Sequence, residues 1–386
     1  MASAGSDGFR MGTIKLQQPL GIGTLQWGTT WVDEKMVKGG RIHEATVDAI
    51  VAQCVAAGVT FFDSAEGYGG GTSEARLGRA VATLGGQAVR ALAGGSTDSR
   101  GEALLRAAGD GPAQAGDAAA IATKFLPTFW RCTRSALVSA ARRSREVLQV
   151  PRIPMYFIHT PVHWLPVEFW IEAACDAKDA GIIENIGVSN FDADQIRRAN
   201  TVAHRRGHSI AANQVMFGLL NYQNECLADT VRVCKDLGIA VVAFSPIGQG
   251  LLTDKYTPES LQTNRVAKMT KVNPTGLERL RAEMKLVAQE ADKSMAQVAL
   301  NWVICHDCIP LIGCRTTRQA ADTLGCLGWR LTDEQVRRLD DVALGHSTLT
   351  GKRFKRVFFA NLFGIVMIVC RFLSWIYGTH WSPEGQ

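Results

Sequence analysis

The sequence predicts a single parallel α/β barrel. Short apolar strand patterns alternate with amphipathic helical patterns along most of the chain. Three successive strand patterns end in Asp63, Lys124 and His159, side chains able to hold or move protons. The length of 386 residues suits one barrel of typically about 250 residues with insertions. In such a barrel the carboxyl ends of all strands meet on one face, so residues distant in sequence converge there.

Taken in order, residues 1–12 are small and polar with Arg10 as their single basic residue, and read as a flexible N-terminus without a recognisable secretory or transit signal. Leu16 to Leu25 gives a capping segment and the first strand. Within it, Gly21-Ile22-Gly23-Thr24-Leu25-Gln26 lacks the third glycine and the immediate helix of a dinucleotide fingerprint. A loop from Thr29 to Gly40 and an amphipathic helix from about His43 to Ala57 follow. The apolar Thr60-Phe61-Phe62 then makes a buried strand that Gly and Ser residues end, leaving Asp63 at its carboxyl end and Tyr68 in the loop. Gly67-Tyr68-Gly69-Gly70-Gly71 has no Walker lysine, so it is a turn that frees Tyr68 to project, with a helix starting at Ser73.

Residues 83–118, rich in Ala and Gly and low in aromatics, read as a low-complexity insertion that packs little. It lies between a helix and the next strand, on the face opposite the strand carboxyl ends, and is expected to have no catalytic role. Ala120 to Phe125 is the strand that carries Lys124. The alternation continues as helix 133–148, strand 155–159, helix 167–180, strand 184–188, helix 193–206, strand 211–215, helix 224–237 and strand 240–244. A long loop over 247–275, two helices and a last strand, Ile309 to Ile312, complete the barrel. Thr332-Asp333-Glu334-Gln335 is a capping box that opens one more helix.

The hydrophobic fraction of 46% is ample for a core, and the formal charge of +6 comes from basic residues spread along the chain except in Lys352-Arg353-Phe354-Lys355-Arg356, which argues against nucleic-acid binding. The ten cysteines are scattered, as reduced thiols of an intracellular protein are. Cys305-His306-Asp307-Cys308 has a zinc-like spacing without a second close pair, so no metal is expected. Residues 346–386 form a basic and hydrophobic tail. Val357 to Cys370 is apolar except for Asn361 and is followed by Arg371, shorter than the about 20 apolar residues of a spanning helix. With Lys352 to Arg356 at one end and Trp375, Tyr377 and Trp381 at the other, this extra C-terminal hydrophobic helix would associate with a membrane or dock on the barrel or another subunit.

Asp63, Tyr68, Lys124 and His159 resemble the catalytic tetrad of the aldo-keto reductase family. The resemblance runs in family order through Gly187-Val188-Ser189-Asn190-Phe191, Asn213-Gln214-Val215, Phe244-Ser245-Pro246 and Gly250-Leu251-Leu252-Thr253, over residues 13–345. It implies a (β/α)8 TIM barrel that reduces aldehydes or ketones to alcohols with NADPH. Tyr68 would be the proton donor, Lys124 would lower its pKa, Asp63 would hold Lys124 charged, and His159 would orient the carbonyl oxygen. It also implies that Ser189, Asn190 and Gln214 hold the nicotinamide carboxamide and that Phe244 stacks on the ring. Ser245, Ile247 and Gln249 would contact the pyrophosphate. Gly313, Arg315 and Gln319 would form the adenosine 2'-phosphate site, where a guanidinium favours NADPH over NADH. Thr323 stands where the family has an asparagine in the adenine contact.

For the small-molecule carbonyl substrate, Trp27, Trp31, Trp130, Trp164 and His163 fall on strand ends or loops of the catalytic rim and would line an aromatic pocket. The resemblance to plant and algal members suggests a chloroplast or cytoplasmic enzyme, with the tail either membrane-associated or docked on the barrel or another subunit. A second reading is an NADPH-binding, non-catalytic auxiliary subunit of a membrane protein, as in the potassium-channel subunits that share this barrel.

Overall fold

The computed structural model describes residues 9–28, 42–92, 119–257 and 272–345. The tail over 346–386, Trp31, most of the 83–118 insertion and residues 258–271 of the 247–275 loop lie outside these residues. Among the described residues there are ten strands: β1 (Phe9–Met11), β2 (Ile14–Leu16), β3 (Gly21–Gly23), β4 (Phe61–Asp63), β5 (Ala120–Phe125), β6 (Ile153–Ile158), β7 (Ile183–Ser189), β8 (Ile210–Met216), β9 (Ala240–Phe244) and β10 (Ile309–Gly313). The last eight close into a barrel in the order β10-β3-β4-β5-β6-β7-β8-β9. All eight pairings are parallel, which helical crossovers between consecutive strands require.

The surrounding helices are α1 (Glu44–Ala56), α2 (Thr72–Leu92), α3 (Arg134–Leu148), α4 (Val167–Asp179), α5 (Ala193–Arg205), α6 (Glu225–Asp236), α7 (Pro274–Ala291), α8 (Met295–Cys305), α9 (Thr317–Leu324) and α10 (Asp333–Val342). Their starts are set by side chains that accept orphan backbone N–H groups: Thr133 for α3, Asn224 for α6, and full capping boxes at Asp192–Gln195, Ser294–Gln297 and Thr332–Gln335. Their inner faces build the layer between helices and sheet, where Trp170, Trp302, Leu137 and Ile196 are fully buried.

Two boundaries differ from the sequence reading. Helix α2 runs to Leu92, so the first ten residues of the 83–118 insertion continue a helix. The N-terminus, expected to be flexible through residue 12, is structured from Phe9, where β1 pairs antiparallel with β2. This hairpin sends Met11 and Leu16 into a cluster with Phe61, Met155, Phe157 and Ile309 inside the barrel. It is latched to β7 by Asn185, which accepts from the Thr13 N–H at 3.0 Å and donates to the Thr13 hydroxyl at 2.7 Å. The turn needs Gly12 at φ +60, since a Cβ there would lie 2.2 Å from Asn185 Oδ1. The barrel floor is thereby plugged, and the opposite rim, at the strand carboxyl ends, is left for the site.

Among the described residues no helix is long and apolar enough to cross a membrane, and no three His, Cys, Asp or Glu gather as metal ligands. In the zinc-like stretch, Cys305 donates to Asn301, His306 pairs with Asp340 and Cys308 bonds the His306 carbonyl.

Candidate active site

Strand register brings the four chemical residues together. Asp63 ends β4 opposite Ala122 of β5, and Lys124, two residues further along β5, shares the face of Ala122. Lys124 in turn lies opposite Phe157 of β6, two residues before His159. Lys124 Nζ forms an ion pair with Asp63 Oδ2 and donates to the Ser64 carbonyl at 2.7 Å. Gln214 Nε2, from β8 across the barrel, donates to Asp63 Oδ1 at 3.0 Å. Both charged residues are out of water, Asp63 at 2% and Lys124 at 0% exposure. Such a pair persists only when its remaining hydrogen-bonding capacity is met, as Ser64 and Gln214 do here.

Tyr68 opens a short 3-10 turn, Tyr68–Gly71, in which Gly69 and Gly70 take φ of 58° and 62°. Those left-handed residues bend the chain at once and leave the phenol over the buried pair, its ring centroid 5.1 Å from Lys124 Nζ. The His159 ring meets the Tyr68 ring edge-on at 5.8 Å. All four predicted residues thus share one spot on the rim.

Their ionisation follows from burial and from one another. Burial pushes the Tyr68 phenol above its ordinary value, and the Lys124 ammonium works against that push. The expected lowering of the phenol by Lys124 is therefore present as an influence and outweighed by burial. Burial likewise raises the Asp63 carboxyl, with Lys124 and Gln214 pulling it back. Burial opposes the Lys124 charge, yet Asp63 and Tyr68 hold its pKa above the usual amine range, so it remains an ammonium. His159 is lowered to about 3 by burial and by the nearby Lys124 charge, which leaves a neutral imidazole at neutral pH.

The residues assigned to a cofactor occupy the adjoining arc. Ser189, the last residue of β7, is paired with Gln214 of β8. The Ser189 hydroxyl donates to the Gln214 carbonyl at 3.0 Å, and Asn190, held at φ 60, donates to Ser189 Oγ at 3.1 Å. Phe244 ends β9 with its ring partly exposed; Ser245 and Ile247 are also partly exposed, and Gln249 is exposed. Ser245 and Gln249 sit at φ of 56° and 54°, a tight path that turns the backbone along the rim. Beyond it, Arg281 of α7 donates to the carbonyls of Leu251, Thr253 at 2.7 Å and Tyr256 at 2.7 Å, fixing the turns of residues 251–256. Gly313 ends β10 exposed, and Arg315 is partly exposed with its backbone N–H donating to Gln319 Oε1 at 2.8 Å. Gln319 is therefore turned back to support Arg315.

The aromatic pocket is only partly as expected. Trp130 and Trp164 stand 61% and 63% exposed, with Phe129 beside them at 43%. His163 is buried, its Nδ1 accepting from the Leu165 N–H at 2.9 Å and its Nε2 facing the Thr128 carbonyl at 3.2 Å. Trp27 is not in the pocket wall: it is fully buried with Leu20, Ile22 and Val47, its indole N–H donating to the Cys314 carbonyl at 2.8 Å. The 3-10 turn Leu25–Trp27 aims it inward, a direction that residue type does not reveal. Arg281 and the Glu66–Arg131 pair escaped the sequence reading. A charged residue placed between Asp63 and Tyr68 was the signal available for the latter.

A closed eight-stranded parallel barrel, with a phenol, ammonium, carboxylate and neutral imidazole at its carboxyl rim beside an open arc of amide and hydroxyl groups, defines an oxidoreductase of the barrel type. The aldo/keto reductase family model matches residues 19–344. The chain belongs to that family, whose members are NADP(H)-dependent enzymes that reduce carbonyl compounds. It is 29% identical over 342 residues to a chloroplastic pyridoxal reductase of Arabidopsis thaliana, spanning 86% of this chain and 85% of the relative. It is 30% identical over 345 residues to an uncharacterized oxidoreductase of Mycobacterium bovis, spanning 87% of this chain and 92% of that one. Among solved structures, a thermostable aldo-keto reductase crystallised with the inhibitor epalrestat superposes with a TM-score of 0.61 at 19% identity, over 86% of this chain and 98% of its own. A Bombyx mori aldo-keto reductase in complex with NADP gives 0.59 at 21% identity, over 85% and 90%. These relatives are oxidoreductases, and the comparisons do not favour the auxiliary-subunit reading.

Proposed function

We propose that this enzyme reduces aldehydes or ketones with NADPH, and that Tyr68 protonates the forming alkoxide. The observation that carries the reading is the Tyr68 ring poised 5.1 Å from the ammonium of a buried ion pair. A phenol raised by burial holds its proton in the resting site. When that proton leaves, the phenolate gains the full attraction of Lys124, so the stabilisation grows as the reaction advances. The neutral His159 imidazole donates a hydrogen bond to the carbonyl oxygen without adding a charge that would compete with Lys124.

NADPH, when bound, supplies the hydride. The residues present fit it: Ser189, Asn190 and Gln214 offer amide and hydroxyl groups at one spot, Phe244 presents an accessible ring, and Arg315 places a cation at the far end of the arc. Gln214 joins the two halves, because its Nε2 also steadies Asp63. The exposed Trp130 and Trp164 suit a flat or apolar carbonyl compound. The Arabidopsis relative's name makes pyridoxal the first natural substrate to try, alongside 4-nitrobenzaldehyde, and the chloroplast the first compartment to look in.

Tyr68→Phe tests the reading. NADPH oxidation with either aldehyde should fall by about a hundredfold or more, the scale of general-acid catalysis, while NADPH still quenches tryptophan fluorescence. Turnover near the parent rate in this variant would remove Tyr68 as the acid.

A further inference from the structure

The loop that carries Tyr68 is joined to the strand that carries Lys124 by more than the ion pair. Pairing between β4 and β5 ends in the Ser64 N–H to Ala122 carbonyl bond at 2.8 Å, then the Glu66 N–H to Lys124 carbonyl bond at 3.3 Å. The next rung of a parallel ladder would need a carbonyl opposite the Leu126 N–H, but the chain has already turned toward Tyr68. The Glu66 carboxylate takes that place, accepting from the Leu126 N–H at 2.7 Å. One side chain thus extends the sheet past its backbone end.

Arg131 completes the joint. Its Nη1 bonds Glu66 Oε1, its Nη2 donates to Glu66 Oε2 at 3.2 Å, and its Nη1 also reaches the Leu126 carbonyl at 3.2 Å. The guanidinium lies over the Phe125 ring, 4.8 Å from its centroid. The two side chains are 16% and 22% exposed, enough removed from water for a two-pronged, charge-assisted contact to hold its geometry. Glu66 is two residues before Tyr68, and Leu126 is two residues after Lys124, so the joint spans the acid and its cation.

We propose that Glu66, held by Arg131, is a positioning residue that fixes the Tyr68 phenol against Lys124. It touches neither substrate nor cofactor and acts through the loop. This rests on the reading of Tyr68 as the acid. A shift of about 1 Å in a reacting group lowers turnover by about a hundredfold, and loss of one of several tethers is expected to cost less, about tenfold in kcat.

The test is a set of variants in the full chain, assayed with NADPH and 4-nitrobenzaldehyde. Glu66→Ala should lower kcat about tenfold with NADPH affinity, read by fluorescence quenching, unchanged. Glu66→Gln, which keeps an acceptor for the Leu126 N–H, should recover most of the rate. Arg131→Met, which leaves the carboxylate in place, should fall between them and covers the case in which Glu66→Ala does not fold. In a Tyr68→Phe background, Glu66→Ala should leave the residual rate unchanged, because there is no acid left to position. An unchanged kcat in both Glu66→Ala and Arg131→Met overturns the proposal, as does an equal loss in the two backgrounds. If Tyr68→Phe alone keeps full turnover, the reading of the acid fails first, and that result is distinct from either of these.

Discussion

Asp63→Asn isolates the charge beneath the site. The carboxylate sits at 2% exposure and serves two donors, Lys124 and Gln214. Asparagine keeps one acceptor oxygen and replaces the other by an NH2 group, so one of the two donors faces another donor. Lys124, at 0% exposure, keeps its 2.7 Å bond to the Ser64 carbonyl but loses its counter-charge. Removing one partner of a buried pair costs about 3–5 kcal/mol, and the surviving Ser64 bond places this variant near the lower end, about 3 kcal/mol. Urea unfolding followed by tryptophan fluorescence should show the midpoint falling at constant slope. Lys124→Met should be destabilised comparably, since it leaves the Asp63 carboxylate unpaired. The double variant Asp63→Asn/Lys124→Met, with neither charge, should be more stable than the sum of the two losses predicts by at least about 1 kcal/mol, within the usual coupling of contacting residues. A loss below about 1 kcal/mol in Asp63→Asn, or strict additivity in the double variant, would refute a buried ion pair supporting the rim.

Two other outcomes follow from the site. His159 has a folded pKa of about 3, depressed below the ordinary imidazole value of 6.5, so its contribution to stability is fully present above about pH 6.5 and is lost as pH falls toward 3. The parent should therefore lose stability relative to His159→Asn as pH falls across that window, measured by urea midpoints at several pH values; a difference independent of pH would contradict an imidazole held neutral by the fold. Arg315→Ala should weaken NADPH about tenfold or more while changing NADH little, the expected loss of a charge-assisted phosphate contact. Equal losses for both cofactors in fluorescence titrations would remove Arg315 from the phosphate site.

How much of this was legible in the sequence depends on whether the signal was local. Strands β4 to β10 are short apolar runs ended by turn residues, and the helices between them carry caps such as Thr332–Gln335, so order and approximate bounds could be read directly. Asp63, Lys124 and His159 were legible for the same reason, being the last residues of such runs. Tyr68 was legible through the glycines that follow it. The β1–β2 hairpin was not, because Phe9-Arg10-Met11 and Ile14-Lys15-Leu16 are each broken by a basic residue and Met11 is buried only once the barrel exists to be plugged. Trp27 misled because an indole on a rim loop reads the same whether it faces substrate or core, and only the Cys314 carbonyl opposite it decides.

The ionisation of Tyr68 shows the limit of reasoning from residue types. A lysine beside a tyrosine predicts an acidic phenol only if the cation's attraction exceeds the cost of burying a negative oxygen, and here burial is the larger influence. That ordering suits a proton donor. A phenol held ionised at rest has no proton to give, whereas one kept neutral by burial and faced by an ammonium gives it up when negative charge must be accommodated. The geometry between phenol and ammonium then matters more than the resting pKa, and it is set by elements that carry no chemistry themselves: the glycine turn after Tyr68, and the Glu66 carboxylate that stands in for a missing rung of the sheet.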